Sequence, residues 1–130
     1  MKVFDYTNVK DPRYFRDGRL DAGSDHVYYA SEADMLSGNS EFRESLNGVW
    51  KFHYAKNYRS AVPGFEKSDY SCADWDDIRV PAHIQMEGYD APHYVNAQYP
   101  WEGREDIRPG EIPEHFNPTA SYVKYFTVPE

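Results

Sequence analysis

From Pro81 to Thr119 the chain carries six of its nine prolines and three of its eight glycines, and no other feature limits its fold as much. Proline fixes φ and has no N–H to donate, so a helix interior or a central strand crossing this stretch would lose backbone hydrogen bonds and meet the ring sterically. The segment from Ala82 to Thr119 therefore reads as a long, ordered loop. Part of it, QMEGYDAPHYVNAQYPW over 85–101, holds three tyrosines and a tryptophan but no aliphatic run. Gly88, Pro92 and Pro100 are expected to set its path, and Tyr89, Tyr94 and Tyr99 to anchor it.

Regular structure must then lie on either side of the loop. Trp50, Phe52 and Tyr54 alternate with smaller or polar residues after an Asn47-Gly48 turn, which predicts a half-buried strand over Val49–Tyr54. A second, short strand is expected at Ile78–Val80, stopped by Pro81. A third is expected at Tyr122–Val128, where β-branched and aromatic residues alternate. Residues 1 to about 40 show no sustained period and read as an extended arm, in which Ser31 and Asp34 can cap one short helical turn ending at Gly38.

The fold class is thus all-β. Three strands do not close a sandwich or barrel, and their unpaired edges invite aggregation. The chain is expected to be the front part of a longer β protein, with a small, weakly patterned all-β domain as the alternative.

A chain of 130 residues can bury roughly two-thirds of its unfolded surface around one core. Only 40% of it is hydrophobic, with Tyr (12), Phe (7) and Trp (3) supplying much of that, and mean hydropathy is −0.87. Aromatic rings must carry the packing. The 22 acidic and 14 basic residues give a net charge of −8, which repels phosphate backbones and anionic lipid, so no nucleic-acid partner is expected. No apolar run approaches the roughly 20 residues of a membrane span, and the N-terminus has no apolar signal core. Cys72 alone excludes an internal disulfide, and Pro118 blocks glycosylation at Asn117. A cytoplasmic location is the simplest expectation.

Side chains that could do chemistry are scattered. His26, His53, His83, His93 and His115 show no metal-binding spacing, Cys72 has no base beside it in sequence, and no phosphate loop or nucleophile elbow occurs. Carboxylates cluster at Asp74, Asp76 and Asp77 and at Glu102, Glu105, Asp106 and Glu111, yet nothing singles out a pair about 5–10 Å apart for glycoside cleavage. They read as solvated loop charges. Asn96 stands apart: its amide offers donors and an acceptor to adjacent sugar hydroxyls, and the rings of Tyr94 and Tyr99 suit a sugar's C–H face. The same amide can instead tie down its own loop.

Ser45-Leu46-Asn47-Gly48-Val49-Trp50-Lys51-Phe52, then Trp75, Ile78, Val80 and Pro81, then Gln85 to Pro100, and finally Asn117-Pro118-Thr119 with Tyr122, Phe126 and Val128 resemble, in order, the N-terminal region of β-galactosidases of glycoside hydrolase family two. The block G-Y-D-A-P-x-Y-x-N-x-x-Y-P is highly specific, whereas S-L-N-G-x-W-x-F is shared more widely within the group. The resemblance runs from about Ser45 to residue 130. Ile84 replaces a common Trp, and the acidic WEGREDIRPGEIPEH segment replaces a shorter one.

The resemblance implies a partial jelly-roll sandwich, like a galactose-binding domain, over 45–130, preceded by the extended arm of 1–44. It gives Asn96 the role of a galactosyl contact and leaves the catalytic glutamates to a (β/α)8 barrel elsewhere in the same polypeptide. No catalytic residue, cofactor or metal is then expected within these 130 residues, although magnesium and sodium are possible in the full-length enzyme. Partners would be a galactoside substrate, the remainder of the polypeptide and a second copy in a homo-oligomer. A stand-alone carbohydrate-binding module, or the matching region of a β-glucuronidase or mannosidase, is the alternative.

Overall fold

Trp50, Phe52 and Tyr54 lie on one face of strand β1 (Gly48–Ala55) in a computed structural model that describes residues 5–23, 26–92, 96, 98–99 and 101–128. Strand β2 (Asp76–Val80) pairs antiparallel along one edge of β1 and β3 (Thr119–Val123) along the other, giving the order β2-β1-β3. The molecule is all-β in its regular core, as the alternation predicts. Register places Ile78 opposite Trp50, and Tyr122 and Asp76 on either side of Phe52. Side chains alternate across the pleat, so these residues share the face of Phe52.

That face is covered by the proline-rich loop. Tyr89 meets Phe52 edge to face with centroids 4.5 Å apart, and Tyr122 closes on Phe52 from the neighbouring strand at 4.9 Å. The opposite face carries Lys51, His53 and Ala55 and is covered by the segment between β1 and β2. There Trp75 gathers His53, Phe65 and Tyr70 at centroid distances of 5.4, 5.6 and 5.9 Å. Lys51 pairs with the directly opposite Asp77 at 2.9 Å and donates to the Trp75 carbonyl. Among the described residues the buried apolar set is Phe52, Ala55, Cys72 and Ile78, so aromatic rings at partial exposure do most of the packing.

The N-terminal segment holds helix α1 (Glu32–Ser37), where the Ser31 hydroxyl accepts from the Asp34 N–H and Gly38 closes the turn at φ 74°. This is the capped turn that the Ser31, Asp34 and Gly38 pattern predicts. A 3-10 turn at Tyr6–Lys10, started by the Asp5 side chain on the Thr7 N–H, was not anticipated. No helix among the described residues is long and apolar enough to cross a membrane.

Two strand boundaries differ from expectation. β2 begins earlier, at Asp76, because Asp76 and Asp77 both gain partners across the sheet. β3 is displaced toward the N-terminus, to Thr119–Val123, since the free edge of β1 pairs only from Lys51 to Ala55. Beyond Val123 the Lys124 ammonium, and not a ladder N–H, reaches the Val49 carbonyl at 2.9 Å. Residues 124–128 keep an alternating sequence without a strand partner among the described residues.

Candidate functional site

The loop between β2 and β3 is fastened at both ends. At its start a short 3-10 turn over Ile84–Met86 is followed by Tyr89, whose hydroxyl donates to Asp76 Oδ2 at 2.9 Å, and by Asp90, whose charge acts on the Tyr54 phenol. Burial first, then the Asp76 hydrogen bond, raises the Tyr89 phenol above its ordinary pKa. Burial first, then the Asp90 charge, does the same for Tyr54, with Arg104 pulling the other way.

At the far end Glu105 gathers three consecutive backbone donors. Its Oε1 accepts from Glu114 N–H at 2.7 Å, and its Oε2 accepts from His115 at 2.9 Å and Phe116 at 3.1 Å. Burial pushes the Glu105 carboxyl up, but the three N–H groups and then His115 outweigh it and leave the carboxyl below its ordinary value. Arg104 lies over the Phe116 ring at 3.9 Å. The 114–117 segment is in turn tied behind β1 by an Arg59–Glu114 ion pair, by Asn57 Nδ2 to the His115 carbonyl and by Asn117 N–H to the Lys56 carbonyl.

Asn96 lies between these two fastenings, exposed, in a bend, and engaged in an interaction of its own. Tyr94 and Pro100, expected to anchor and direct the loop, lie outside the described residues, as does His93. Of the remaining expected anchors, Tyr89 is held against the sheet. Tyr99 is not, being 69% exposed; it stacks on Trp101 with centroids 5.4 Å and planes 8° apart. Trp101 also borders a cleft of about 370 Å³ beside Gln85, Asp90, Phe116 and Asn117, which sets a carboxylate and two amides against aromatic surface.

Three carboxylates read from sequence as solvated charges are structural instead. Asp76 holds Tyr89, Asp77 pairs with Lys51, and Glu105 organises the loop's far end. Asp90 escaped notice altogether; its place beside Tyr89 in the G-Y-D block was the available signal. Asp76 accepts a hydrogen bond from the Tyr89 phenol, an arrangement that ties the loop to the sheet and does not set up acid and base catalysis. Among the described residues no three His, Cys, Asp or Glu side chains converge as metal ligands.

The sequence profile of the glycosyl hydrolases family 2, sugar binding domain, matches residues 43–130. A β-galactosidase of Halalkalibacterium halodurans is 49% identical over 122 residues, covering 93% of this chain and 12% of that protein. A β-galactosidase of Streptococcus thermophilus is 42% identical, covering 94% and 12% respectively. A β-galactosidase large subunit of Latilactobacillus sakei is 40% identical over 88% of this chain and 20% of its own length. The chain thus spans a small part of the relatives it matches, and by the match over 43–130 it belongs to the sugar binding domain family of glycosyl hydrolases family 2.

Proposed function

We propose that these residues are the N-terminal sugar-binding part of a β-galactosidase that cleaves terminal β-D-galactosyl residues with retention, and that they contribute substrate recognition but not the catalytic glutamates. The similarity to β-galactosidases over more than nine-tenths of this chain carries the reading. Supporting it, the loop that bears Asn96 is fastened at both ends, as a residue that must meet a sugar in one orientation requires. Asn96 then offers its amide to galactosyl hydroxyls, residues 45–130 form the first part of a jelly roll, and the arm of 1–44 serves subunit association. The acid/base and nucleophile, and any magnesium or sodium, belong to the rest of a cytoplasmic, homo-oligomeric enzyme.

The test is a chimera in which these 130 residues replace the matching segment of the Halalkalibacterium halodurans β-galactosidase. It is expected to hydrolyse a nitrophenyl β-galactoside and not the corresponding glucuronide or mannoside, whereas the chain by itself is expected to hydrolyse none. A folded, soluble chimera without galactosidase activity, or galactose binding and hydrolysis by the chain alone, overturns the reading.

A further inference from the structure

The cleft beside Trp101 lies between two segments that are each fixed by their own hydrogen bonds. On one side the Trp101 carbonyl accepts from the Arg104 and Glu105 N–H groups at 2.9 and 3.1 Å, and the Glu105 carboxylate in turn holds the backbone of Glu114, His115 and Phe116. Trp101 and the 114–117 segment are thus tied to one another through a single residue. The stack on Tyr99 fixes the indole plane, and the Asn117 N–H is anchored on the Lys56 carbonyl at 3.1 Å. On the other side the Ile84 carbonyl accepts from the Glu87 and Tyr89 N–H groups, both at 3.1 Å, and Tyr89 is held to Asp76 of the sheet. A cleft between two such segments is formed before any ligand arrives, which lowers the ordering cost of filling it.

Its lining has a particular chemistry. Gln85, Asp90, Trp101, Phe116 and Asn117 border it, and all five are half-buried. The side-chain amides of Gln85 and Asn117 make no hydrogen bond to another described residue, although polar groups withdrawn from water require partners. Two amides and a carboxylate supply donors and acceptors suited to a row of hydroxyls, and the two aromatic rings suit an apolar C–H face. Asp90 is the one ionisable side chain among the lining residues described, so a second negative charge would be repelled there. The volume of about 370 Å³ stands near the lower end of the range of about 300–1,000 Å³ usual for small-molecule sites. It admits one sugar ring and not a chain of them.

We propose that the cleft bordered by Gln85, Asp90, Trp101, Phe116 and Asn117 is a second carbohydrate site, which takes a single neutral hexopyranose unit. Trp101 and Phe116 meet the ring's C–H surface, and Gln85 and Asn117 bind its hydroxyls. Asn96 is not among the residues that line it, so the site stands whether or not Asn96 meets galactose.

The test reads binding and not turnover. Methyl β-glucoside is titrated into the folded chimera and followed by ligand-observed NMR, with a non-hydrolysable thiogalactoside as competitor. The glucoside is expected to bind and to remain bound at saturating thiogalactoside, and methyl β-glucuronide is expected to bind at least about tenfold more weakly. Gln85→Ala and Asn117→Ala are each expected to weaken glucoside binding about five- to tenfold. Trp101→Ala should weaken it by about tenfold or more, whereas Trp101→Phe, which keeps an aromatic face, should stay within about threefold of the parent. Thermal melts of the same preparations identify any variant whose loss is a loss of fold.

No glucoside binding by the folded chimera overturns the site. So does displacement of the glucoside by the thiogalactoside, which would put both sugars in one place, or equal affinity for the glucuronide. Unchanged binding in folded Gln85→Ala and Trp101→Ala variants would equally remove it, and each of these outcomes leaves the Asn96 assignment as it was.

Discussion

Tyr89 stands against Phe52 edge to face, with planes 63° apart and centroids 4.5 Å apart, and this contact joins the proline-rich loop to the centre of the sheet. Phe52 is wholly buried, and only Ala55, Cys72 and Ile78 join it in the buried apolar set of the described residues. With so few buried anchors, its removal cannot be absorbed elsewhere. Phe52→Ala is expected to cost about 3–5 kcal/mol, a large share of the stability typical of small domains. Urea unfolding followed by tryptophan fluorescence measures it, and a cost no larger than that of an exposed substitution such as Phe42→Ala would contradict the packing.

Alkaline pH should loosen the same region. Tyr54, Tyr89 and Tyr122 all have phenol pKa values raised above 10.0, in each case chiefly by burial. A raised folded value means that the folded chain keeps a proton that the unfolded chain releases. The stability this represents is complete below pH 10.0 and is lost as pH climbs through the folded values. Tyr89→Phe removes one of these groups and should flatten the alkaline limb of the stability profile, while losing about 0.5–1.5 kcal/mol at neutral pH with the Asp76 hydrogen bond. Tyrosinate absorbance against pH, native and denatured, shows whether these phenols ionise late, and an alkaline limb unchanged in Tyr89→Phe would contradict it.

Glu105 predicts the opposite limb. Burial raises its carboxyl pKa, but the backbone donors of Glu114, His115 and Phe116 more than reverse this, and the folded value falls below 4.5. Its contribution is therefore present above pH 4.5 and disappears as pH drops through the lowered value. Glu105→Gln should reduce the slope of stability against pH in that window, read from unfolding midpoints in a pH series. An unchanged slope would show that the three hydrogen bonds do not favour the ionised carboxylate.

What the sequence disclosed depended on whether the signal was local. The strand around Phe52 and the turn closed by Gly38 were legible because alternation and capping are written in neighbouring residues. β3 was misplaced because its pattern continues to Val128, while pairing is decided by the free edge of β1, whose partners lie 64 residues or more away (Ala55 to Thr119), a relation that no local period records. Glu105 was taken for a solvated charge because its partners are backbone N–H groups, which carry no side-chain signature. Tyr99 matched its neighbours in type and yet stacks on Trp101 near the surface, since sequence spacing does not distinguish a ring that faces the sheet from one that faces away. Asn96 drew attention only through its amide chemistry and its place in the Y-x-N-x-x-Y-P block.

That residue gives the sharpest functional expectation. An exposed asparagine whose amide only bridged its own turn would contribute to stability, so Asn96→Ala would lower the melting temperature and leave catalysis alone. An amide that meets galactosyl hydroxyls more closely in the transition state than in the bound substrate acts the other way. In the chimeric galactosidase, Asn96→Ala is then expected to cost about 1–3 kcal/mol of transition-state stabilisation, a fall in kcat/KM of roughly 5- to 150-fold, with little change in melting temperature. Asn96→Asp keeps an acceptor but loses the amide donors, so it should recover only part of the loss. Steady-state kinetics on a nitrophenyl galactoside, paired with thermal melts of the same preparations, distinguishes the two roles, and an unchanged kcat/KM with a lowered melting temperature would assign Asn96 to the loop and not to the sugar.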